Sequence, residues 1–245
     1  MKRRTGLLVW LLAFAAVLTA QPALAGGAWP RGKDRGFVSL SYSGSGDVLG
    51  YAQHLYAQIP GMEVPEFTHE IGFYVEIGLT EELTFGVDRY YRPADETFGA
   101  TWFIRRNFTL TRLPGSFGFE FGLGGWRDWR GIDDTQFRAG LSWGQGFETR
   151  WFDGWVEIDA KLGALDKARS ALWKLDSTLG IKPGERSMLY LQMQSGAIDG
   201  SPTYTRAVPA YVMKLGRGIS LESALLLGVR NDDNNGMKLG LWAEF

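Results

Sequence analysis

Over most of this chain, apolar and polar residues take turns one by one. In the closing stretch, Met237, Leu239, Leu241, Ala243 and Phe245 fall on one side of an extended strand, and Lys238, Gly240, Trp242 and Glu244 on the other. The same alternation can be read in about twelve segments, an even count of the kind closed transmembrane sheets use. The clearest are 69–79, 83–91, 117–125, 135–145, 155–162, 171–181, 219–229 and 237–245; weaker ones are 36–43, 98–110, 187–195 and 203–215. One face suits hydrocarbon and the other water. After residue 25 no apolar run approaches the ~20 residues of a transmembrane helix. A chain like this can enter a membrane only as a closed sheet, which pairs every backbone donor and acceptor. A soluble sandwich also alternates, but it places charges on its outer face around a dry core.

The start of the chain points the same way. Lys2, Arg3 and Arg4 precede an apolar core, Leu7 to Leu18, and Ala23-Leu24-Ala25 supplies a small-x-small cleavage pattern. The expectation is a signal peptide over 1–25, with a single barrel domain over 26–245. The mature chain of 220 residues then carries 23 basic and 27 acidic residues, a net charge of −4. That balance argues against a nucleic-acid partner, which needs a basic footprint. With no cysteine, disulfide and thiol chemistry are excluded.

Turn residues separate the strands. Short connections are expected at Thr80-Glu81-Glu82, Pro114-Gly115, Pro183-Gly184, Gly216-Arg217-Gly218 and 146–150. Longer ones are expected at 44–66, 92–97, 128–133, 163–169, 196–202 and 230–236. Short turns at one end and longer loops at the other suit a membrane barrel. Residues 26–35 read as a lead-in outside the barrel. Loop 44–66, with a mildly apolar middle from Val48 to Ile59, reads as a surface loop; a short helix, a longer first hairpin or an inward constriction are the alternatives.

With its leader, alternation, turn asymmetry and closing Leu241-Trp242-Ala243-Glu244-Phe245, the chain resembles bacterial outer-membrane β-barrel proteins over its whole mature length. The resemblance implies an all-β, antiparallel up-and-down barrel of about twelve strands. It also implies an outer-membrane location with both termini periplasmic, contact with outer-membrane lipid and lipopolysaccharide, and insertion by the barrel assembly machinery. Leu241, Ala243 and Phe245 would be the assembly signal. A monomer is expected.

In this register nine acids point inward: Glu70, Glu76, Asp88, Glu120, Glu157, Asp159, Asp176, Glu222 and Glu244. So do eight bases: Arg105, Arg138, Lys161, Lys174, Arg206, Lys214, Arg230 and Lys238. Neither sign dominates, so strong ion selectivity is not indicated. Buried charges must be paired or hydrated. Twelve strands lie between the roughly eight that side chains fill and the sixteen that leave a channel. Inward Gly72, Gly78, Gly86, Gly118, Gly122, Gly124, Gly140 and Gly228 would leave space, and Tyr74, Trp155 and Trp242 would take it. A hydrated passage or binding site for small polar or amphiphilic solutes is the leading expectation. A plugged barrel maintaining the envelope is the alternative. The same register sends Arg106 toward lipid, so a β-bulge or strand end is expected there.

No catalytic set is assigned. His54 and His69 are the two histidines, and the His-x-Ser spacing of barrel phospholipases is absent; a lipid hydrolase with Ser and His from distant loops stays open. Glu157 and Asp159 share a face with Lys161 and Lys174 nearby, a pattern of ion pairing before acid–base chemistry. Asp232-Asp233-Asn234-Asn235-Gly236 lacks the spacing of a calcium loop and reads as a turn. Gly122-Leu123-Gly124-Gly125 lacks the lysine of a phosphate loop. Asn107-Phe108-Thr109 is a sequon inside an expected membrane strand. No metal or cofactor is assigned. Tyr90, Tyr91, Trp126 and Trp129 are expected as an outer aromatic girdle, and Phe147, Trp151 and Phe152 as an inner one. A sugar platform on Trp126 and Trp129 is the minor alternative.

Overall fold

A computed structural model describes residues 27–48 and 67–245. The alternating segments form twelve antiparallel strands: β1 Gly36–Gly46, β2 Phe67–Gly78, β3 Leu83–Arg92, β4 Thr97–Leu110, β5 Leu113–Arg127, β6 Asp133–Glu148, β7 Asp153–Leu165, β8 Ser170–Gly184, β9 Ser187–Ile198, β10 Tyr204–Gly216, β11 Ile219–Arg230 and β12 Asn235–Glu244. Each strand pairs with its sequence neighbours, and β1 pairs with β12, so the sheet closes into a barrel with no free edge. The register is continuous in the strand middles. Its shifts fall near strand ends, at Thr109/Leu110, Ile181/Gly184, Thr205/Arg206 and Lys214/Gly216.

The two faces of the wall differ as the period requires. Phe73, Trp102, Phe121, Leu141, Leu162, Leu191, Leu225 and Leu239 stand exposed on the outside. Glu76, Arg105, Glu120, Arg138, Glu157 and Glu222 are buried within. An apolar outer surface around a charged interior reverses the soluble pattern and matches a barrel in hydrocarbon.

At closure, the Gly36 N–H donates to the Phe245 carbonyl at 2.7 Å, and the Phe245 N–H to the Gly36 carbonyl at 3.1 Å. The Phe245 ring lies over Gly36, where any Cβ would collide with it. Leu241 and Ala243 sit opposite Leu40 and Val38 of β1.

Both ends of the described chain lie at one end of the barrel, the terminus end. The β10–β11 turn there is Gly216-Arg217-Gly218, all three in the left-handed region (φ 114°, 55° and 76°), which explains the two glycines. Pro114-Gly115 and Pro183-Gly184 are not the turns. The chain reverses at residues 111–112 and 185–186, and both prolines sit inside strand ends, where a missing N–H is tolerated. Arg106 does face outward, and no bulge accompanies it; β4 continues to Leu110. Arg106 pairs with Leu83, the first residue of β3, so it lies level with the rim. There it reaches Glu82 at 3.3 Å. The loop between β1 and β2 lies almost wholly outside the described residues, as does His54.

If the outer face meets hydrocarbon, placing arginine at Phe121, near the middle of β5, costs about 2–4 kcal/mol. Equilibrium unfolding in lipid vesicles checks this. Arg106→Ala at the rim is expected to change stability by under about 1 kcal/mol.

Candidate functional site: a plugged chamber

Residues 27–31 are not outside the barrel. They fold into its terminus end, which corrects their reading as an external lead-in. Ala28, Trp29 and Arg31 are buried. The Gly27 carbonyl accepts a hydrogen bond from Asn107 Nδ2 of β4 at 2.9 Å, and the Ala28 N–H donates to Glu157 Oε1 of β7 at 3.1 Å. Ala28 and Trp29 form one cluster with Trp155 of β7, and Met188 of β9 packs against that cluster. Arg31 donates to Glu76 of β2 and lies 4.4 Å over the Phe37 ring. The segment thus touches strands from β1 round to β7.

Glycines make the room. A Cβ on Gly118 would sit 2.3 Å from the Gly27 carbonyl oxygen, one on Gly144 2.4 Å from the Trp29 ring, and one on Gly78 1.7 Å from the Gly32 carbonyl oxygen. Other inward glycines receive neighbouring rings: Phe103 lies over Gly86, and Trp155 over Gly180. Hence several of the small inward residues are filled rather than left as passage.

Beside this plug runs a buried ladder of alternating charge. Arg31 and Arg105 both bond to Glu76, Arg105 Nη1 to Glu76 Oε1 at 2.6 Å. Arg105 Nη2 reaches Glu120 Oε2 at 3.1 Å. Arg138 Nε donates to Glu120 Oε1 at 3.0 Å, and its Nη1 to Asp88 Oδ2 at 2.8 Å. The Tyr74 hydroxyl accepts from Arg105 and donates to Glu76. Three cations and three anions link β2, β3, β4, β5 and β6 with the N-terminal segment. In a low-dielectric interior such groups persist only when each has its partner.

Beyond the plug lies a chamber of about 780 Å³. It extends from Phe37, Trp155 and Trp242 near the terminus end to Ser201 and Pro202 of the β9–β10 loop at the far end. Of the residues singled out in the sequence, Glu70, Asp88, Arg138, Glu157, Lys161, Lys174, Arg206, Glu222 and Lys238 line it. Glu76, Arg105 and Glu120 belong to the ladder instead. Asp159 and Asp176 hold Lys161 at 3.0 Å and Lys174 at 2.9 Å. Lys214 is exposed at the terminus-end rim and lines nothing, because the β10–β11 turn begins two residues later.

Side chains unnoticed in the sequence complete the chamber: Ser39, Ser41 and Ser43 of β1, and Gln136, Gln192 and Gln194. The girdle assignment fails for Tyr90 and Trp126. Both line the chamber, Trp126 Nε1 donating to the Tyr90 hydroxyl at 2.8 Å, since the strand period turns them inward. His69 is outside the chamber, stacked on Tyr42 with Nδ1 2.8 Å from its hydroxyl. Asp232 is bound to Arg206 at 2.7 Å, and Asn235 Oδ1 accepts from the Gly228 N–H, which is loop chemistry. At the far rim, burial acts to raise the Asp128 carboxyl. The N–H groups of Ile132 and Arg130 and the Arg130 guanidinium outweigh it and hold the group below the usual carboxylate range.

No family model and no curated protein sequence matches the chain. Solved structures do. An outer membrane channel from Pseudomonas putida F1 superposes with a TM-score of 0.58 at 10% identity, covering 91% of this chain and 100% of that one. The NanC porin superposes with a TM-score of 0.52 at 11% identity, covering 84% and 98%. The fold is that of a bacterial outer-membrane β-barrel. At such low identity the likeness carries the architecture alone.

Arg105→Ala would leave Glu76 and Glu120 short of their shared cation. It is expected to destabilise the barrel by about 3–5 kcal/mol, read as a lower urea midpoint in vesicles. An unchanged midpoint would mean that the ladder is not closed as described.

Proposed function

We propose that this outer-membrane barrel is a channel for small polar solutes, closed in the resting state by its own N-terminal segment. The observation that carries the reading is the pairing of a 780 Å³ chamber, lined by charged, polar and aromatic side chains, with a plug that is not paired into the strands of the wall. A barrel kept only for envelope structure has no need of a chamber lined by serine, glutamine and lysine. The segment meets the wall through side chains such as Glu157, Asn107 and Glu76 and not through strand pairing, so it can leave without opening any strand pair. In this reading the terminus end faces the periplasm, the barrel is a monomer inserted by the assembly machinery, and its role is not enzymatic.

The test is planar-bilayer conductance of the mature protein beside the double variant Trp29→Gly/Arg31→Gln. The wild type is expected to show low or intermittent conductance, and the variant a conductance several-fold higher. Equal conductance in the two proteins would separate the segment from gating. No conductance in either would favour the plugged structural barrel.

A further inference from the structure

The chamber lining carries more bases than acids, and the two signs are presented on different strands. Lys174, Arg206 and Lys238 stand on β8, β10 and β12, and each is backed by its own carboxylate. In every pair the cation is the group offered to the chamber. Side-chain exposure is 42% for Lys174 against 14% for Asp176, 22% for Arg206 against 6% for Asp232, and 31% for Lys238 against 0% for Glu222. On β2 and β3 the order is reversed. Asp88 is 37% exposed and its partner Arg138 only 8%. Glu70 has no hydrogen-bond or ion-pair partner among the described residues, and it lies in the field of Arg92 on β3 and of Lys174, Arg206 and Lys238. All five groups line the same cavity. The arc from β8 to β12 therefore presents N–H donors and positive charge, and β2 and β3 present carboxylate oxygens; the two meet at β1, where Lys238 and Glu70 flank Ser43.

Such a side-by-side presentation of both signs acts differently on different solutes. A simple anion gains from one group and is repelled by the other, and a simple cation meets the converse. A molecule carrying both charges a few ångströms apart gains from both groups. The cavity is also within the roughly 300–1,000 Å³ of small-molecule sites. We infer that the chamber is a binding site for a small zwitterion of the amino-acid type. Lys174, Arg206 and Lys238 take its carboxylate, and Glu70 and Asp88 take its ammonium. The inference deepens the channel reading but does not require conduction, because binding is read at equilibrium with the plug in place.

The test is isothermal titration of the folded mature protein in detergent micelles near neutral pH with four probes: glutamine, acetate, ethylammonium and glucose. Glutamine is expected to bind at least tenfold more tightly than the other three. The triple variant Lys174→Gln/Arg206→Gln/Lys238→Gln is expected to lose at least tenfold in glutamine affinity. The double variant Glu70→Gln/Asp88→Asn is expected to lose glutamine affinity and gain acetate affinity. Circular dichroism checks folding; should the triple variant not fold, the double variant carries the test alone. Acetate binding as tightly as glutamine would reduce the site to a plain anion site and overturn the inference. So would glutamine binding no better than glucose, or variants that bind like the wild type.

Discussion

Charged side chains inside a lipid-enclosed wall have few ways to exist. They must be hydrated or matched, and a cation whose partners are gone is among the costliest groups a protein can hold. The ladder Arg31–Glu76–Arg105–Glu120–Arg138–Asp88 is the matched solution in this barrel. Because its first member belongs to the N-terminal segment, matching charges also seats the plug. Glu76 is bonded to one arginine of the wall and one of the plug, so the wall's electrostatics are complete only when residues 27–31 are inside.

The rest of the interior follows from that placement. Backbone and a tryptophan ring occupy the terminus end, so the facing strands carry glycine at positions 78, 118 and 144, where a side chain would collide. Below the mouth, Trp155 bridges plug and chamber: it packs with Ala28 and Trp29 and also lines the cavity. What remains open is a space lined by charged, polar and aromatic side chains, with cations presented from β8 to β12 and carboxylates from β2 and β3. The outer surface is mainly apolar by contrast, because hydrocarbon makes only one demand.

The wall was readable from residue pattern, and the interior's filling was not. Period two alone located all twelve strands, since a strand with two solvents must alternate. Strand ends were read less well at Pro114 and Pro183, because proline also occupies a strand's outermost positions. Arg106 was explained by depth, which a pattern along one strand does not contain. Tyr90 and Trp126 share a composition with girdle residues, and only parity with Asp88 and Gly124 shows that they face inward. The plug left a trace: Ala28-Trp29-Pro30-Arg31 is rich in anchoring groups for an idle leader segment, and inward glycines cluster on the strands it meets. Neither trace says which end of the chain fills the gap. Likewise the near-equal count of acids and bases concealed which member of each pair is presented.

The presence of residues 27–31 inside the barrel is best tested by cross-linking, for which a chain without cysteine is well suited. A Cβ at Gly27 would lie 3.3 Å from the Ser142 Cβ, close to disulfide spacing. With the segment seated, Gly27→Cys/Ser142→Cys should form an internal disulfide on mild oxidation of the folded protein. Two thiols that stay free and react promptly with a water-soluble maleimide would put the segment outside.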